Sequence, residues 1–119
     1  MAHILVVDDS PTETHVISVV LEKQGHKVST AVNGKDGVEK ATQLIQDLIL
    51  MDVVMPELNG FQATRQLNKQ DSTANIPIIM VTTKDQKTDK MWAERQGAKG
   101  YITKPFVADD LIQDRKSVV

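Results

Sequence analysis

The 119-residue chain contains no cysteine, which excludes a disulfide framework and any metal site built on thiolates. It has little charge excess: 14 lysines and arginines stand against 16 aspartates and glutamates, interspersed, for a formal net charge of −2. A nucleic-acid surface needs a patch of positive charge, and none is present, so no nucleic-acid partner is expected. The apolar runs are too short to cross a bilayer, so no membrane insertion is expected either. The first residues, MAHILVVDDS, enter an apolar run directly and lack the basic start and long apolar core of a signal peptide, which points to the cytoplasm. No glycine-rich turn follows that run, which disfavours a dinucleotide site. The four prolines all fall at the edges of patterned segments, and there is no repeat, low-complexity tract or linker. A single domain over residues 1–119 is expected, long enough to bury one core.

What the chain does have is alternation. HILVV (3–7), LILM (48–51), IIMVT (78–82, opened by Pro77) and GYIT (100–103) are short, apolar and largely β-branched. KVSTA, up to Ala31, is a weaker strand that suits a sheet edge. Between these runs lie helical patterns. Ser10, Pro11 and Glu13 read as N-cap, first helical residue and partner in a capping box. Val16, Ile17, Val19, Val20 and Leu21 form a broad apolar stripe, and Gly25 supplies a left-handed stop. Asn33 caps a second helix with Val38, Ala41, Leu44 and Ile45 on one face. NGFQATRQLNK presents Phe61, Thr64 and Leu67 together, and DQKTDKMWAERQG makes a fourth helix ending at Gly97. There Trp92, beside Met91, reads either as cover for the sheet or as a partner contact. A last helix begins near Asp109. Five rounds of strand then helix, with strands apolar throughout, predict an α/β domain with a parallel sheet covered on both faces.

The polar residues are placed with equal regularity. Asp8 and Asp9 follow the first strand, Asp52 follows the third, Thr82 ends the fourth and Lys104 follows the fifth. Every one lies at a carboxyl end, where open α/β sheets bind ligands at the point of strand-order reversal. If the first and third strands flank that point, three carboxylates converge. They repel one another until some take up protons or a hard divalent cation joins them. Magnesium suits such an oxygen set, with manganese or calcium as possible substitutes. An aspartate beside such an ion can attack phosphorus and form an acyl phosphate. Lys104 offers a compact positive charge to a phosphate oxygen and Thr82 a hydroxyl to another. The three histidines, His3, His15 and His26, show no ligand spacing.

VVDDS, LMDVVMPELNG, MVTTKD and GYITKPF, in this order and spacing, resemble the response-regulator receiver family, and the resemblance covers essentially the whole chain. It implies the flavodoxin-like (CheY-like) (βα)5 fold, with parallel strand order 2-1-3-4-5 and helices on both faces. It implies Asp52 as phosphoacceptor, Asp8 and Asp9 as magnesium ligands with the Val54 backbone carbonyl, Lys104 as the phosphate-contacting lysine, and Thr82 with Tyr101 as a switch pair. It also implies a cis bond between Lys104 and Pro105. Within the family, DDSPTE, LNGFQATRQL and VTTKDQKTDKMWAERQGAKGYITKP are most similar to the twitching-motility regulators of type IV pilus systems. Two departures stand out. Arg115 and Lys116 interrupt the apolar Leu111, Ile112, Val118 and Val119 of the last helix. Val54 and Lys84 stand where family members position the water that hydrolyses the acyl phosphate, which implies slow self-dephosphorylation.

On this resemblance the expectation is a stand-alone receiver without an output domain and without turnover of its own. Its partners are a CheA-like histidine kinase and an output protein docking on the fourth helix, fifth strand and last helix, with the chain a monomer or weak dimer. Whether it delivers output or drains phosphoryl groups from a sister regulator is open. A receiver detached from a longer regulator is the first alternative. A metal-dependent aspartyl-phosphate phosphatase is the second, although Val54 stands where such enzymes place a second acid.

Overall fold

The computed structural model describes residues 2–55, 57–83 and 86–104. Five strands, β1 (His3–Val7), β2 (Lys27–Ala31), β3 (Leu48–Met51), β4 (Ile78–Thr82) and β5 (Gly100–Thr103), alternate with four helices, α1 (Pro11–Lys23), α2 (Gly34–Gln43), α3 (Gly60–Lys69) and α4 (Lys87–Arg95). All strand pairs are parallel and the order is β2-β1-β3-β4-β5. Hydrophobicity explains the order. β3 and β4 are apolar along their length and buried along their length, as central strands covered on both faces must be. β2, with Lys27, Ser29 and Thr30, takes the edge, where exposure is tolerable.

Alternation along each strand sorts the core into two layers. Leu5, Val7, Ile49, Met51, Ile78 and Met80 pack with Ala41 of α2, Ala63 and Leu67 of α3, and Ala93 of α4. Ile4, Val6, Leu48, Leu50, Ile79, Val81 and Ile102 pack on the other face with Ile17 and Leu21 of α1. Helices therefore lie on both faces. Their starts are capped as the sequence predicts: Glu13 N–H donates to Ser10 Oγ at 3.3 Å and Asp36 N–H to Asn33 Oδ1 at 2.8 Å. Gly25 (φ +87) and Gly97 (φ +104) take the left-handed conformation just beyond α1 and α4, where a Cβ would strain the backbone.

Several sequence expectations need correction. The capping box anticipated at Ser10 and Glu13 is only half formed, because the Ser10 N–H donates to Asp8 Oδ1 at 2.9 Å instead. The reciprocal box occurs at α3, where Asn59 and Gln62 bond each other's backbone at 2.9 and 3.0 Å. Leu44 does not continue the α2 face. It is the extended C-cap, and Ile45 beyond it is 90% exposed. The α1 stripe is narrower than expected: Ile17 and Leu21 are buried while Val16 is largely exposed, since one sheet face covers less helical arc than five neighbouring apolar residues span. Trp92 does not enter the core. It is half exposed, because Ala93 is the α4 residue that meets the sheet and its neighbours point about 100° away. The last helix, Lys84 and the Lys104–Pro105 bond lie outside the described residues.

One non-glycine residue among those described, Glu57 in the loop before α3, has a positive φ of 65°. The left-handed region costs an L-residue about 1–2 kcal/mol, and glycine's greater loss of freedom on folding takes back about 0.5–1 kcal/mol. Glu57→Gly is accordingly expected to raise stability by about 0.5–1 kcal/mol in chemical denaturation. A loss of stability would show that the Glu57 side chain is needed where it stands.

Candidate functional site

The sheet carries its ladder one residue past the strand tips. Asp8 N–H donates to Ala31 O at 3.1 Å, Asp52 N–H to Val7 O at 2.9 Å and Lys104 N–H to Thr82 O at 2.7 Å. Side-chain alternation then decides which face each group serves. Asp8 shares parity with Ile4 and Val6, Asp52 with Leu48 and Leu50, and Lys104 with Ile102, so all three belong to the α1 face. Register completes the convergence: Val7 pairs with both Ala31 and Met51, which sets Asp8 beside Asp52, and Thr82 pairs with Thr103, which delivers Lys104. Thr82 and Tyr101 have the opposite parity and belong with Met80, toward α3 and α4, where Tyr101 is partly buried against the core.

One carboxylate oxygen from each of Asp8, Asp9 and Asp52 lies within 4.8 Å of the others. Asp8 and Asp52 are buried, with Asp52 8% exposed, while Asp9 is open to solvent. Lys104 Nζ donates to Asp8 Oδ2 at 2.7 Å and lies 3.7 Å from Glu13 Oε2 and 4.0 Å from Asp52 Oδ2. Val53 N–H donates to Asp52 Oδ1 at 2.8 Å, and the Thr82 hydroxyl also donates to the Asp52 carboxylate. Asp8, Asp9, Asp52, Thr82 and Lys104 are thus brought together, while Tyr101 packs against the core layer on the opposite face. Val54, just beyond Asp52, is 55% exposed.

Electrostatics at Asp52 are in tension. Burial pushes its carboxyl above the usual carboxylate range and the charge of Asp8 adds to this, against the lowering effects of Lys104, Thr82 and the Val53 amide. For Lys104, burial alone would lower the ammonium. Its bond to Asp8 and the charges of Asp52 and Glu13 outweigh burial and hold it above the ordinary lysine value. A site this rich in hard carboxylate oxygens fits a divalent cation of the magnesium kind better than it fits any soft metal.

Two features of this site have no signal in the sequence reading. Glu13, expected to cap a helix, sits beside Lys104 because α1 covers the face on which Lys104 emerges. Gly60 opens α3 so close to β3 that a Cβ there would stand 2.0 Å from the Asp52 carbonyl oxygen, and its N–H donates to Val53 O at 2.9 Å. Nothing in LNG marks its glycine as a brace for Asp52. A cleft of about 350 Å³ opens beside the acids, between α1 and β2, lined by Asp8, Asp9, Thr14 and His15 among others. A hollow of about 440 Å³ at the amino ends of β4 and β5, lined by Asn68, Asn75 and Lys99 among others, contains no carboxylate. No helix among the described residues is long and apolar enough to cross a membrane.

Comparison with known proteins agrees with this geometry. Residues 4–116 match the response regulator receiver domain. Protein PilH of Pseudomonas aeruginosa is 56% identical over 119 residues, covering all of this chain and 98% of that protein. Other curated relatives are longer, and the chain spans about half of their length. Among solved structures, the chemotaxis protein CheY4 of Vibrio cholerae superposes with a TM-score of 0.94 at 33% identity, over 100% of this chain and 99% of that one. The receiver domain of sensor histidine kinase PA1611 from P. aeruginosa, which holds a magnesium ion in its active-site cleft, gives 0.90 at 31% identity, over 98% and 95% of the two chains.

The raised Asp52 carboxyl has a consequence for stability. A group whose pKa is higher in the fold than in the unfolded chain binds its proton more tightly when folded, so its ionisation destabilises the fold. That loss develops as pH rises from the ordinary carboxylate range through the raised value. Without divalent cations, Asp52→Asn should therefore melt above wild type at neutral pH, and the gap should close on acidification. An Asn variant that is less stable throughout would contradict a strained Asp52.

Proposed function

The chain belongs to the response regulator receiver domain family, and on that premise we propose that it is a phosphorylation-operated switch with Asp52 as the phosphoacceptor. The observation that carries this reading is the meeting of Asp8, Asp9 and Asp52, one carboxylate oxygen of each within 4.8 Å of the others, with Lys104 Nζ 2.7 Å from Asp8 and 4.0 Å from Asp52. An Asp52 carboxylate oxygen attacks the phosphorus of a phosphohistidine. The new O–P bond replaces the N–P bond, and the imidazole leaves with the electron pair. Asp8, Asp9, Asp52 and the Val54 carbonyl would hold magnesium, which supplies positive charge between the carboxylates and the phosphoryl oxygens; manganese or calcium would substitute. The buried ammonium of Lys104 neutralises a further phosphoryl oxygen, and Thr82, already bonded to Asp52, hands its hydroxyl to the new group. With that hydroxyl drawn toward the charge, the space beside it on the α4 side is available to the Tyr101 ring.

The donor in this reading is a CheA-like histidine kinase in the cytoplasm, and the receiver of the signal is a protein. The docking face is α4 with its exposed Met91 and Trp92, β5 and the segment that follows. The 56% identity to PilH supports a setting in twitching motility and type IV pilus signalling. It acts by binding and not by turnover. In the presence of magnesium, a small phosphodonor such as acetyl phosphate should label wild type, and Asp52→Asn should lose at least about a hundredfold in labelling; equal labelling of both would remove Asp52 from the chemistry.

Val54 presents an exposed apolar surface where an amide or carboxylate would orient the hydrolytic water. Slow self-dephosphorylation follows. Val54→Asn should shorten the half-life of the phosphoryl group severalfold in a phosphate-release assay, and an unchanged half-life would mean that water is positioned by other groups.

A further inference from the structure

We infer that Glu13 is a positioning residue for Lys104, an alternative carboxylate that accepts the ammonium when a cation claims Asp8. This rests on the phosphoacceptor reading above and deepens it. Lys104 Nζ lies in the order Asp8 at 2.7 Å, Glu13 at 3.7 Å and Asp52 at 4.0 Å. Two of these three partners, Asp8 and Asp52, belong to the carboxylate cluster, and among the described residues Glu13 is the one ion-pair partner of Lys104 outside it. A divalent cation on that cluster competes with the ammonium for Asp8 and repels it. A largely buried ammonium, its side chain 8% exposed, needs another anion to move toward. Glu13 sits on the first turn of α1, half exposed, beside Lys104. Its backbone N–H already serves the Ser10 cap, so its side chain is free of the capping role that its position suggests.

The direction of the effect follows. Without the Glu13 charge, Lys104 stays on Asp8 and opposes the ion. Simple attraction between Glu13 and the ion predicts weaker binding too, so a double-mutant cycle is needed to separate the two causes. Titration of the full chain with magnesium alone, followed by calorimetry, should show Glu13→Gln weakening binding by about two- to fivefold, the range of a partly exposed ion pair. In a Lys104→Met background, the same substitution should change affinity by less than half as much on a logarithmic scale. Glu13→Gln keeps the size and the backbone cap and removes only one partly exposed ion pair and a first-turn charge, so its melting temperature should fall only slightly below that of wild type. Equal weakening in both backgrounds, or no weakening in wild type, would overturn the inference. Neither readout involves phosphoryl transfer, so a failed Asp52 labelling experiment would count against the phosphoacceptor role while leaving the lysine coupling separately measured.

Discussion

Two carboxylates buried at adjacent strand tips are the constraint around which this domain is arranged. Asp8 and Asp52 stand where water screens poorly, and charge that is poorly screened must be matched locally. Among the described residues the match comes from Lys104, whose ammonium bonds Asp8 and faces Asp52. The match is incomplete, because one lysine serves two buried acids with Asp9 close by, and Asp52 is the group left with a raised pKa. An incompletely neutralised pocket is costly for a protein that only needs to fold. On the phosphoacceptor reading proposed above, the same deficit would favour a cation and then a phosphoryl group.

The sheet divides this work between its faces. On the α1 side lie the charges: Asp8, Asp52, Lys104 and, from the helix itself, Glu13. On the other side lie Met80, Tyr101 and the helices α3 and α4, which are packed by apolar contact. Thr82 joins the two. Its position in β4 gives it the parity of the α4 side, yet its hydroxyl bonds Asp52. On the phosphoacceptor reading proposed above, a change of charge at Asp52 would reach the far face through this side chain, which neighbours the β4–β5 pairing. The close approach of Gly60 to the Asp52 carbonyl adds a second mechanical tie, from the acid to α3.

Most of the architecture was legible because it rests on local rules. Strand bounds followed the apolar runs, Asn33 and Ser10 capped the helices they were expected to cap, and the polar edge strand was recognisable from KVSTA. The misreadings share one cause. Hydrophobicity alone puts Leu44, Ile45 and Val16 on buried faces, but burial depends on where a helix ends and how wide a strip of it the sheet covers. The partial capping box at Ser10 is of the same kind, since the Ser10 amide had a nearer acceptor in Asp8, supplied by the strand before it.

The sequence by itself determined that the chain would form a parallel α/β domain and that its acids, hydroxyl and lysine would all emerge at carboxyl ends. Hydrophobic period and cap residues act over a few residues, and that is far enough to decide both. Tertiary structure decided which of those groups meet. The register of β1 with β3 and of β4 with β5 set the distances among Asp8, Asp52 and Lys104, and the covering of one face by α1 brought in Glu13. Such meetings join residues up to 96 positions apart. They depend on strand pairing and the parity of side chains across a folded sheet, which no local pattern encodes.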